Sequence, residues 1–424
     1  MRTILHSDLN NFYASVACLQ DPALRNVPVA VCGDPEKRHG IVLSKNEPAK
    51  AAGVKTAEAI WQARQKCPDL VLVRADFPAY MRAAQHVRAI YAQYASRVEP
   101  FGLDEAWLDV TDLGVDGRAA ADELRARIRR ETGLTVSVGV SFNKVFAKLA
   151  SDLKKPDATT CVRVENFRRK VWPLDVGCLL YVGPATRRRL AACNMRTIGD
   201  VARRRPEELR AMLGKHGETL WIYANGLECE PVAPLGATSA VKSVGNSITP
   251  ARDVQSDADA RELFWVLCQS VSERLLRRGL AGRTLSISVR ASDLQTTSAQ
   301  CALPEPTALS CALERTAMAL FRAHWQWTQC VRSLGVCVSG LCPQDGPRQL
   351  GLFDDGREER ALALERTLLR LRDRYGPNCV RRALLLRSDF GGLSPHGEMP
   401  AFVRDSVWEE LAAKNGREEP ELPF

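Results

Sequence analysis

Short strand patterns and amphipathic helix patterns alternate along the first third of the chain, and this alternation restricts the fold more than any other feature. The segment 2–8 predicts a strand that ends in Asp8, and the segment 103–110 predicts a strand that begins beside Asp104 and Glu105. Helix patterns cover 10–19, 78–94 and 117–131, and further strand patterns cover 27–32, 41–44 and 135–140. Two successive strand–helix–strand sets predict a ferredoxin-like split βαβ unit in an α+β protein.

The predicted secondary structure changes several times along the rest of the chain. Alanine-rich residues 45–66 are expected to be helical, with a break near Gly53. Short helices and turns are expected from Pro156 to about residue 235, where 233–237 predicts a linker. Residues 241–340 carry helix, strand and helix patterns at 257–279, 284–290 and 307–324. A chain of 424 residues with these changes predicts three or four domains.

Composition restricts the classes of protein that the chain can belong to. The net charge is +9, and the excess of Lys and Arg falls in 166–235 and 242–335, whereas 354–424 is slightly acidic. Positive charge in the middle of the chain favours a polyanionic partner such as nucleic acid. The fourteen cysteines form no Cys-x-x-Cys pair, which predicts reduced and mostly buried thiols. Apolar runs are of strand length and no signal-peptide core precedes the first strand, so we expect a cytoplasmic protein that does not enter a membrane.

The acidic residues at the strand ends are the first candidates for chemistry. Unpaired buried carboxylates are unfavourable, so Asp8, Asp104 and Glu105 are not expected to be ordinary core residues. Oxygen ligands of this kind suit Mg²⁺, and two such ions can activate a hydroxyl group and neutralise a leaving pyrophosphate. Taken alone, an adjacent Asp–Glu pair is more often an exposed pair at a turn, and that alternative stays open on the pattern itself.

Three segments in order resemble the motifs of the Y family of DNA polymerases (the UmuC/DinB family). They are residues 6–16 (HSDLNNFYASV), 102–109 (GLDEAWLD) and 139–156 (GVSFNKVFAKLASDLKKP). The resemblance continues, more weakly, to about Phe353. It implies a DNA-directed DNA polymerase that makes DNA with low fidelity past damaged template positions, with a mutator effect and a part in the SOS response.

The resemblance also implies an architecture. We expect an α+β multidomain right-hand polymerase with four parts. They are a ferredoxin-like palm over 1–165 with small fingers inserted at about 20–77, a helical helix-hairpin-helix thumb over 166–235, a DNA-binding α/β little finger over 241–340, and a C-terminal tail over 341–424.

Carried over position by position, the resemblance implies roles for individual residues. Asp8, Asp104 and Glu105 would be the catalytic acids and would bind two Mg²⁺ ions, with help from the backbone carbonyl of Leu9. The nucleotide-binding residues would be Tyr13 as the steric gate against a ribose 2′-hydroxyl, Phe12 beside it, and Lys50 and Lys155 at the triphosphate. On the residues alone, the alternative for Tyr13 is ordinary helix packing, and Lys155 would be a solvated lysine before a proline.

The chain departs from the family pattern at three of its positions. Asn10 stands where many relatives have aspartate, which argues against a fourth required carboxylate. Glu47 and Lys50 stand where many relatives have tyrosine and arginine. Lys50 can still bind phosphate as a point charge, whereas Glu47 is not expected to do so.

Two further segments resemble DNA-binding parts of the family. Residues 182–186 (VGPAT), followed by three arginines, resemble the hairpin of the thumb, which implies DNA contacts at Gly183 and Ala185. Lys242 and Ser243 begin a segment that resembles the entry to the little finger. A plain helix–helix turn with a solvated basic face explains 182–186 equally well on its own.

The segment 349–353 (QLGLF) resembles the peptide with which bacterial polymerases bind the sliding clamp. Gln349, Leu350, Leu352 and Phe353 are the expected contacts, because a glutamine followed by spaced apolar residues suits a hydrophobic groove. The alternative is an ordinary strand edge. The implied partners are therefore primer–template DNA, dNTPs and a sliding clamp, and the chain is expected to be a monomer.

Two other functions compete with template-directed synthesis. A catalytically inactive relative that recruits other polymerases should lack the metal-binding acids, and this chain has all three. A nucleotide cyclase on a similar palm would need neither a DNA-binding hairpin nor a clamp peptide.

Overall fold

The described part of the chain forms two compact units. The computed structural model describes residues 2–33, 40–237, 240–346, 356–376, 379–387 and 390. Within these residues, the first unit comprises 2–33 and 40–237, and the second unit comprises everything from 240 onwards. Each unit has hydrophobic core residues of its own.

The first unit contains eight strands and eleven α-helices among its described residues. In chain order they are β1 (Ile4–Leu9), α1 (Phe12–Gln20), β2 (Val29–Cys32), β3 (Val42–Lys45), α2 (Glu47–Ala51), α3 (Ile60–Lys66), β4 (Val71–Arg74), α4 (Phe77–Tyr94), β5 (Val98–Pro100), β6 (Glu105–Asp109), α5 (Gly117–Thr132), β7 (Val136–Ser141), α6 (Lys144–Leu153), β8 (Thr159–Cys161), α7 (Phe167–Val171), α8 (Pro184–Ala192), α9 (Ile198–Ala202), α10 (Pro206–Leu213) and α11 (Lys215–Ala224). Short 3₁₀ helices cover Pro22–Asn26, Thr111–Leu113 and Val176–Cys178.

The predicted split βαβ unit is confirmed by the main sheet. Its strand order is β5-β6-β1-β7-β8, and β1 pairs antiparallel with both β6 and β7. The hairpin β5–β6 and the two crossovers through α4 and α5 give the strand order of a ferredoxin-like sheet, to which β8 adds a parallel edge strand.

Helices cover both faces of this sheet, so its central strands are buried along their whole length. Every residue of β1 and β7 is buried. Gly139 in β7 lets α6 approach one face, because a Cβ atom there would lie 1.8 Å from the carbonyl oxygen of Ala147. On the other face, the hydroxyl of Tyr91 in α4 donates a 2.9 Å hydrogen bond to Ser7 in β1.

A smaller sheet lies between α1 and α4 in sequence. Its order is β3-β2-β4, with β2 antiparallel to β3 and parallel to β4. The prediction of helix over 45–66 was wrong in part, because Lys45 belongs to β3 and residues 52–59 are not helical. Buried Asn46 explains the late start of the helix: its Oδ1 accepts from the N–H groups of Val29 and Ala49 and so caps α2.

The short helices predicted beyond Pro156 are present as α7–α11. Their core is continuous with α6, whose Phe146 is fully buried within it. Gly217 allows α10 and α11 to pack closely, because a Cβ atom there would lie 2.0 Å from the carbonyl oxygen of Leu209. The first half of the predicted linker 233–237 is hydrogen-bonded to the first unit, since the N–H of Ala233 donates to Glu99 Oε2 at 2.9 Å and the N–H of Leu235 donates to the carbonyl of Ser96 at 3.1 Å.

The second unit is a four-stranded antiparallel sheet with helices. Its elements are β9 (Ser243–Ile248), α12 (Asp257–Arg277), β10 (Leu280–Ala291), β11 (Thr296–Thr307), α13 (Ser310–His324), β12 (Val331–Pro343), α14 (Arg357–Tyr375) and a 3₁₀ helix (Ala383–Arg387). The sheet order is β11-β10-β12-β9. The helix and strand patterns predicted near 257–279, 284–290 and 307–324 are confirmed as α12, β10 and α13.

The sequence did not predict α14, whose buried side chains are polar. Buried Arg372 donates to Oε1 of buried Glu273 in α12 at 2.6 Å, and buried Glu365 accepts from the hydroxyl of Ser310 in α13. The helix is therefore attached to α12 and α13 by charged and polar contacts.

Composition also led to predictions about the cysteines and about membrane-spanning segments. All fourteen cysteines are free thiols, but only four are buried, so the prediction of mostly buried thiols was wrong. Among the described residues, no helix is both long and apolar enough to cross a bilayer.

Candidate active site

The three acidic residues meet at one end of the main sheet because β1 pairs with β6. Asp8 lies directly opposite Glu105 in this pairing. The N–H of Leu9 donates a 2.9 Å hydrogen bond to the carbonyl of Asp104, which lies in the bend just before β6. Directly opposed residues of an antiparallel pair project to the same face, so Asp8 and Glu105 point to the same side of the sheet.

These carboxylates are crowded and partly shielded from water. Burial raises the pKa of Asp8 to about 7, and the negative charge of Glu105 adds to the effect. The same two causes raise the pKa of Asp104 to about 6. Burial alone would also raise the pKa of Glu105, but the neighbouring His6 and Lys148 lower it to about 2. The site therefore holds one firmly ionised carboxylate beside two whose negative charge is unfavourable.

Two lysines partly neutralise the negative charge of the acids. Lys155 Nζ lies 2.8 Å from Asp8 Oδ2 and 2.8 Å from Asp152 Oδ1. Lys148 Nζ forms an ion pair with Glu105. The structure thus brings Lys155 to the acids, whereas Lys148, which belongs to the same motif, was given no role from the sequence.

His6 is a second residue that sequence reasoning missed. Its ring is fully buried, with Nδ1 2.9 Å from Ser151 Oγ and Nε2 3.2 Å from Glu105 Oε2. Burial lowers the pKa of His6. The available signal was its spacing, because residues two apart in a strand share a face and His6 is two residues before Asp8.

The donor set fits a hard divalent cation. Ligand atoms of His6, Asp8 and Glu105 lie within 4.8 Å of one another, and Asp104 is adjacent in sequence to Glu105. Carboxylate oxygens are the ligands that Mg²⁺ prefers, and a bound cation would favour the ionised forms of Asp8 and Asp104. Asp8 and Glu105 could therefore hold such a cation, with Asp104 next to Glu105 in the chain.

A group of aromatic side chains lies at the start of α1. Half-buried Tyr13 stacks on Tyr80 of α4, with ring centroids 4.4 Å apart and planes at 24°. Phe77 makes an edge contact with Tyr13, at 6.0 Å, and Phe12 is buried. Sequence reasoning missed Phe77 and Tyr80, although their three-residue spacing in the first turn of α4 places them on one helix face.

Glu47 and Lys50, which differ from the residues of many relatives, lie together on the surface of α2. Lys50 Nζ is 3.4 Å from Glu47 Oε1, and both side chains are about half exposed. The same Glu47 oxygen accepts a 2.9 Å hydrogen bond from Asn11 Nδ2. Glu47 therefore links α2 to the start of α1, and Lys50 remains accessible to solvent.

The predicted DNA-contact residues of the first unit lie at the N-terminal end of α8. Gly183 is the N-cap of this helix and Ala185 lies in its first turn, and both are exposed. A Cβ atom at Gly183 would meet no heavy atom within 4 Å, so internal packing does not require glycine there.

In the second unit, Lys242 and Ser243 are exposed at the beginning of β9. The helices cover one face of this sheet, where Leu285, Ile287 and Val289 are buried. The strand registers place small and polar residues on the other face, namely Ser243, Gly245, Ser247, Thr284, Ser286, Ser288, Arg290, Thr296, Ser298, Gln300, Ser333, Gly335, Cys337 and Ser339. The proposed clamp residues Gln349, Leu350, Leu352 and Phe353 lie outside the described residues.

Comparison with known proteins agrees with this geometry. The impB/mucB/samB family profile matches residues 7–152, and the profile of that family's C-terminal domain matches residues 241–352. A protein of Acetivibrio thermocellus named DNA polymerase IV is 48% identical over 390 residues, which cover 91% of this chain and 98% of that protein. A Bacillus subtilis protein named DNA polymerase IV 1 is 34% identical over 391 residues, or 92% and 94% of the two chains.

A solved structure has the same fold. A Y-family DNA polymerase chimera aligns with a TM-score of 0.70 at 22% identity, and the alignment covers 80% of this chain and 98% of the chimera. The chain therefore belongs to the impB/mucB/samB family of Y-family DNA polymerases.

The raised pKa of Asp8 predicts an effect on stability. A carboxyl whose pKa is higher in the folded state destabilises the fold when ionised, so Asp8→Asn should raise the melting temperature of the metal-free protein at pH 8 by on the order of 3 °C. The gain should shrink as the pH falls from about 7 towards the ordinary aspartate pKa of about 3.9.

With added Mg²⁺, the wild type should have a higher melting temperature than Asp8→Asn, which is the reverse of the order without metal. Mg²⁺ should raise the melting temperature of the wild type more than that of Asp8→Asn. Asp112→Asn, at an exposed acid, is the control and should change neither behaviour. A lower melting temperature of metal-free Asp8→Asn at pH 8 would contradict the electrostatic argument.

Proposed function

We propose that this chain extends a DNA primer along a template by two-metal nucleotidyl transfer, with Mg²⁺ ions held by Asp8, Asp104 and Glu105 and by the carbonyl of Leu9. The observation that carries the proposal is the pairing of Asp8 with Glu105 beside Asp104, in a chain whose relatives are named DNA polymerase IV. Bound Mg²⁺ would supply Lewis-acid activation of the primer 3′-hydroxyl and neutralise charge on the leaving pyrophosphate.

The side chains around the acids support specific roles towards the nucleotide. Lys155, whose Nζ lies 2.8 Å from Asp8 Oδ2, is proposed to bind the incoming triphosphate, a role that suits a compact ammonium charge. Tyr13 is proposed to be the steric gate, with Phe12 packed behind it. The stack of Tyr13 on buried Tyr80 supports this role, because a ring held from one side keeps a fixed boundary next to the sugar. Exposed Lys50 is proposed as a weaker phosphate contact.

The predicted palm, thumb and little finger each have a proposed role in binding DNA or nucleotide. Residues 1–165 form the palm with fingers at about 20–77, and 166–235 form the thumb, where Gly183 and Ala185 would meet DNA phosphates at a helix N-terminus. Residues 241–340 form the little finger. Its open sheet face of small polar side chains, with Lys242 and Ser243 at the edge, would permit close approach of a duplex.

Low-fidelity synthesis past lesions is the proposed biological activity. Among their described residues, the proposed fingers contain a three-stranded sheet and two α-helices of five and seven residues, which would enclose a nascent base pair only loosely. We also propose that the enzyme is a monomer and lies in the cytoplasm. The alternative of an inactive recruitment module has no observation in its favour, since the chain has all three acids.

The metal role is tested by Asp104→Asn, which keeps the size of the side chain but removes its charge. Primer extension with Mg²⁺ should fall at least about a hundredfold, as for loss of a main electrostatic stabiliser. DNA affinity should change little, because it depends on other surfaces, and Asp112→Asn should extend primers normally. Extension at the wild-type rate by Asp104→Asn would refute the assignment.

The gate is tested by Tyr13→Ala. Removal of the ring should open space beside the sugar 2′ position and raise the ratio of rNTP to dNTP incorporation by about tenfold or more. Incorporation of dNTPs should persist. An unchanged ratio would mean that another residue excludes the 2′-hydroxyl.

A sliding-clamp contact is proposed for Gln349, Leu350, Leu352 and Phe353. If Leu352 and Phe353 are anchors, each buries apolar surface worth roughly 1.5–3 kcal/mol. Replacement of both by alanine should weaken clamp affinity at least about a hundredfold and leave clamp-free primer extension normal. Packing as a strand edge would give the opposite result: a lower melting temperature and weaker synthesis with retained clamp affinity.

A further inference from the structure

The loop that carries Lys155 is held by side chains to which the proposed chemistry gives no role. This loop, residues 154–158, connects α6 to β8 and places Lys155 Nζ 2.8 Å from Asp8 Oδ2. Asp157 lies in the loop with a left-handed backbone, at φ 49°. Aspartate adopts this conformation more readily than most residues, but the surrounding structure must still hold it there.

Arg125 of α5 holds Asp157 on one side. Its Nε and Nη2 donate to Asp157 Oδ1 at 3.2 and 2.9 Å, and Nη2 also donates to the carbonyl of Asp157. Its Nη1 donates to Asp122 Oδ1 at 3.1 Å and to Thr159 Oγ1 at 3.3 Å. Every nitrogen of the guanidinium group is engaged. A planar group with five donors can reach this set of acceptors, whereas an ammonium group cannot.

Asn10 holds Asp157 on the other side. Its Oδ1 accepts a 2.8 Å hydrogen bond from the N–H of Asp157, and its Nδ2 donates to Ser137 Oγ at 2.9 Å. Asn10 is 5% exposed, and its own N–H donates to the carbonyl of Thr135 at 2.9 Å. Because Asn10 comes two residues after Asp8, this bond ties the Lys155 loop to the strand that carries the acid. An amide makes the bond without adding a fourth carboxylate to the site.

We propose that Asn10, Arg125 and Asp157 are positioning residues that keep Lys155 in place for the incoming triphosphate. The inference rests on the role proposed above for Lys155. Arg125 and Asp157 act on the nucleotide only through the loop, so their loss should weaken nucleotide binding more than the chemical step. A binding group that is no longer held in place loses affinity because the lost order must be restored on binding.

A double-mutant cycle of Arg125→Met and Lys155→Met tests the proposal. The dissociation constant of a dNTP is measured in the complex with a dideoxy-terminated primer–template, and KM and kcat are measured with an extendable primer. Arg125→Met should raise the dissociation constant and KM about tenfold, with a smaller change in kcat. In the Lys155→Met background, Arg125→Met should have little further effect on dNTP binding, because the ammonium group that Arg125 is proposed to position is already absent.

Two variants separate this role from a general loss of stability. Arg118→Met lies on the same helix, and Arg118 is 63% exposed with its Nε 3.7 Å from Asp122 Oδ2, so nucleotide binding should be unchanged. Asp157→Asn keeps an oxygen that can accept from Arg125 and the tolerance for a left-handed backbone, and it loses the 3.2 Å contact of Asp157 Oδ2 with exposed Arg129 Nη1. It should therefore raise the dissociation constant less than Arg125→Met does. Should Arg125→Met fail to fold, Asp157→Asn takes its place in the cycle.

Two kinds of result overturn the proposal, and they are distinguishable. If Lys155→Met weakens dNTP binding but Arg125→Met does not, or if the two effects are additive, the network does not act through Lys155 while the role of Lys155 stands. If Lys155→Met itself leaves dNTP binding unchanged, the role proposed for Lys155 fails, and the positioning role fails with it.

Discussion

The antiparallel register between β1 and β6 is the constraint on which the site depends. It sets Asp8 opposite Glu105 and brings Asp104 beside Leu9. A shift of one residue would turn Asp8 to the other face of the sheet. Such a shift is prevented by burial, because every residue of β1 is buried between α6 on one face and α4 with α5 on the other. The acids are therefore held in place by the hydrophobic core of the first unit.

That placement has an electrostatic consequence. Carboxylates brought together in a partly buried site repel one another and lose hydration, which is why the pKa values of Asp8 and Asp104 are raised. Lys148 and Lys155 relieve part of the repulsion. Such a site is unfavourable for the fold and favourable for a cation, a conflict that is common where function requires charge. Lys155 neutralises an acid and, in the proposed function, also binds the triphosphate, so the loop that holds Lys155 bears on both roles.

Sequence reasoning predicted those parts of the fold in which local pattern and tertiary structure agree. The strands that carry the acids, the helices α4, α5, α12 and α13 and the split βαβ topology all follow from periodicity and order. The helix predicted over 45–66 was wrong in part, because Asn46 is committed to hydrogen bonds with β2. Helix α14 was not predicted, and its buried side chains, Glu365 and Arg372, are charged and not apolar.

The residues of the candidate site also fall into two groups, those that the sequence indicated and those whose contacts only the structure shows. The sequence by itself indicated the polymerase family and marked the three acids, Tyr13 and Lys155 as candidate site residues, because these residues belong to contiguous motifs that resemble those of the family. Only the tertiary structure decided that His6 lies against Glu105, that Tyr80 stacks on Tyr13 and that Arg125 grips Asp157. These three residues are ordinary in type, and each of the three contacts joins residues that are far apart in the chain and lie on different parts of the fold. A pattern read along the chain records spacing within an element, whereas the packing of elements against each other determines which side chains meet.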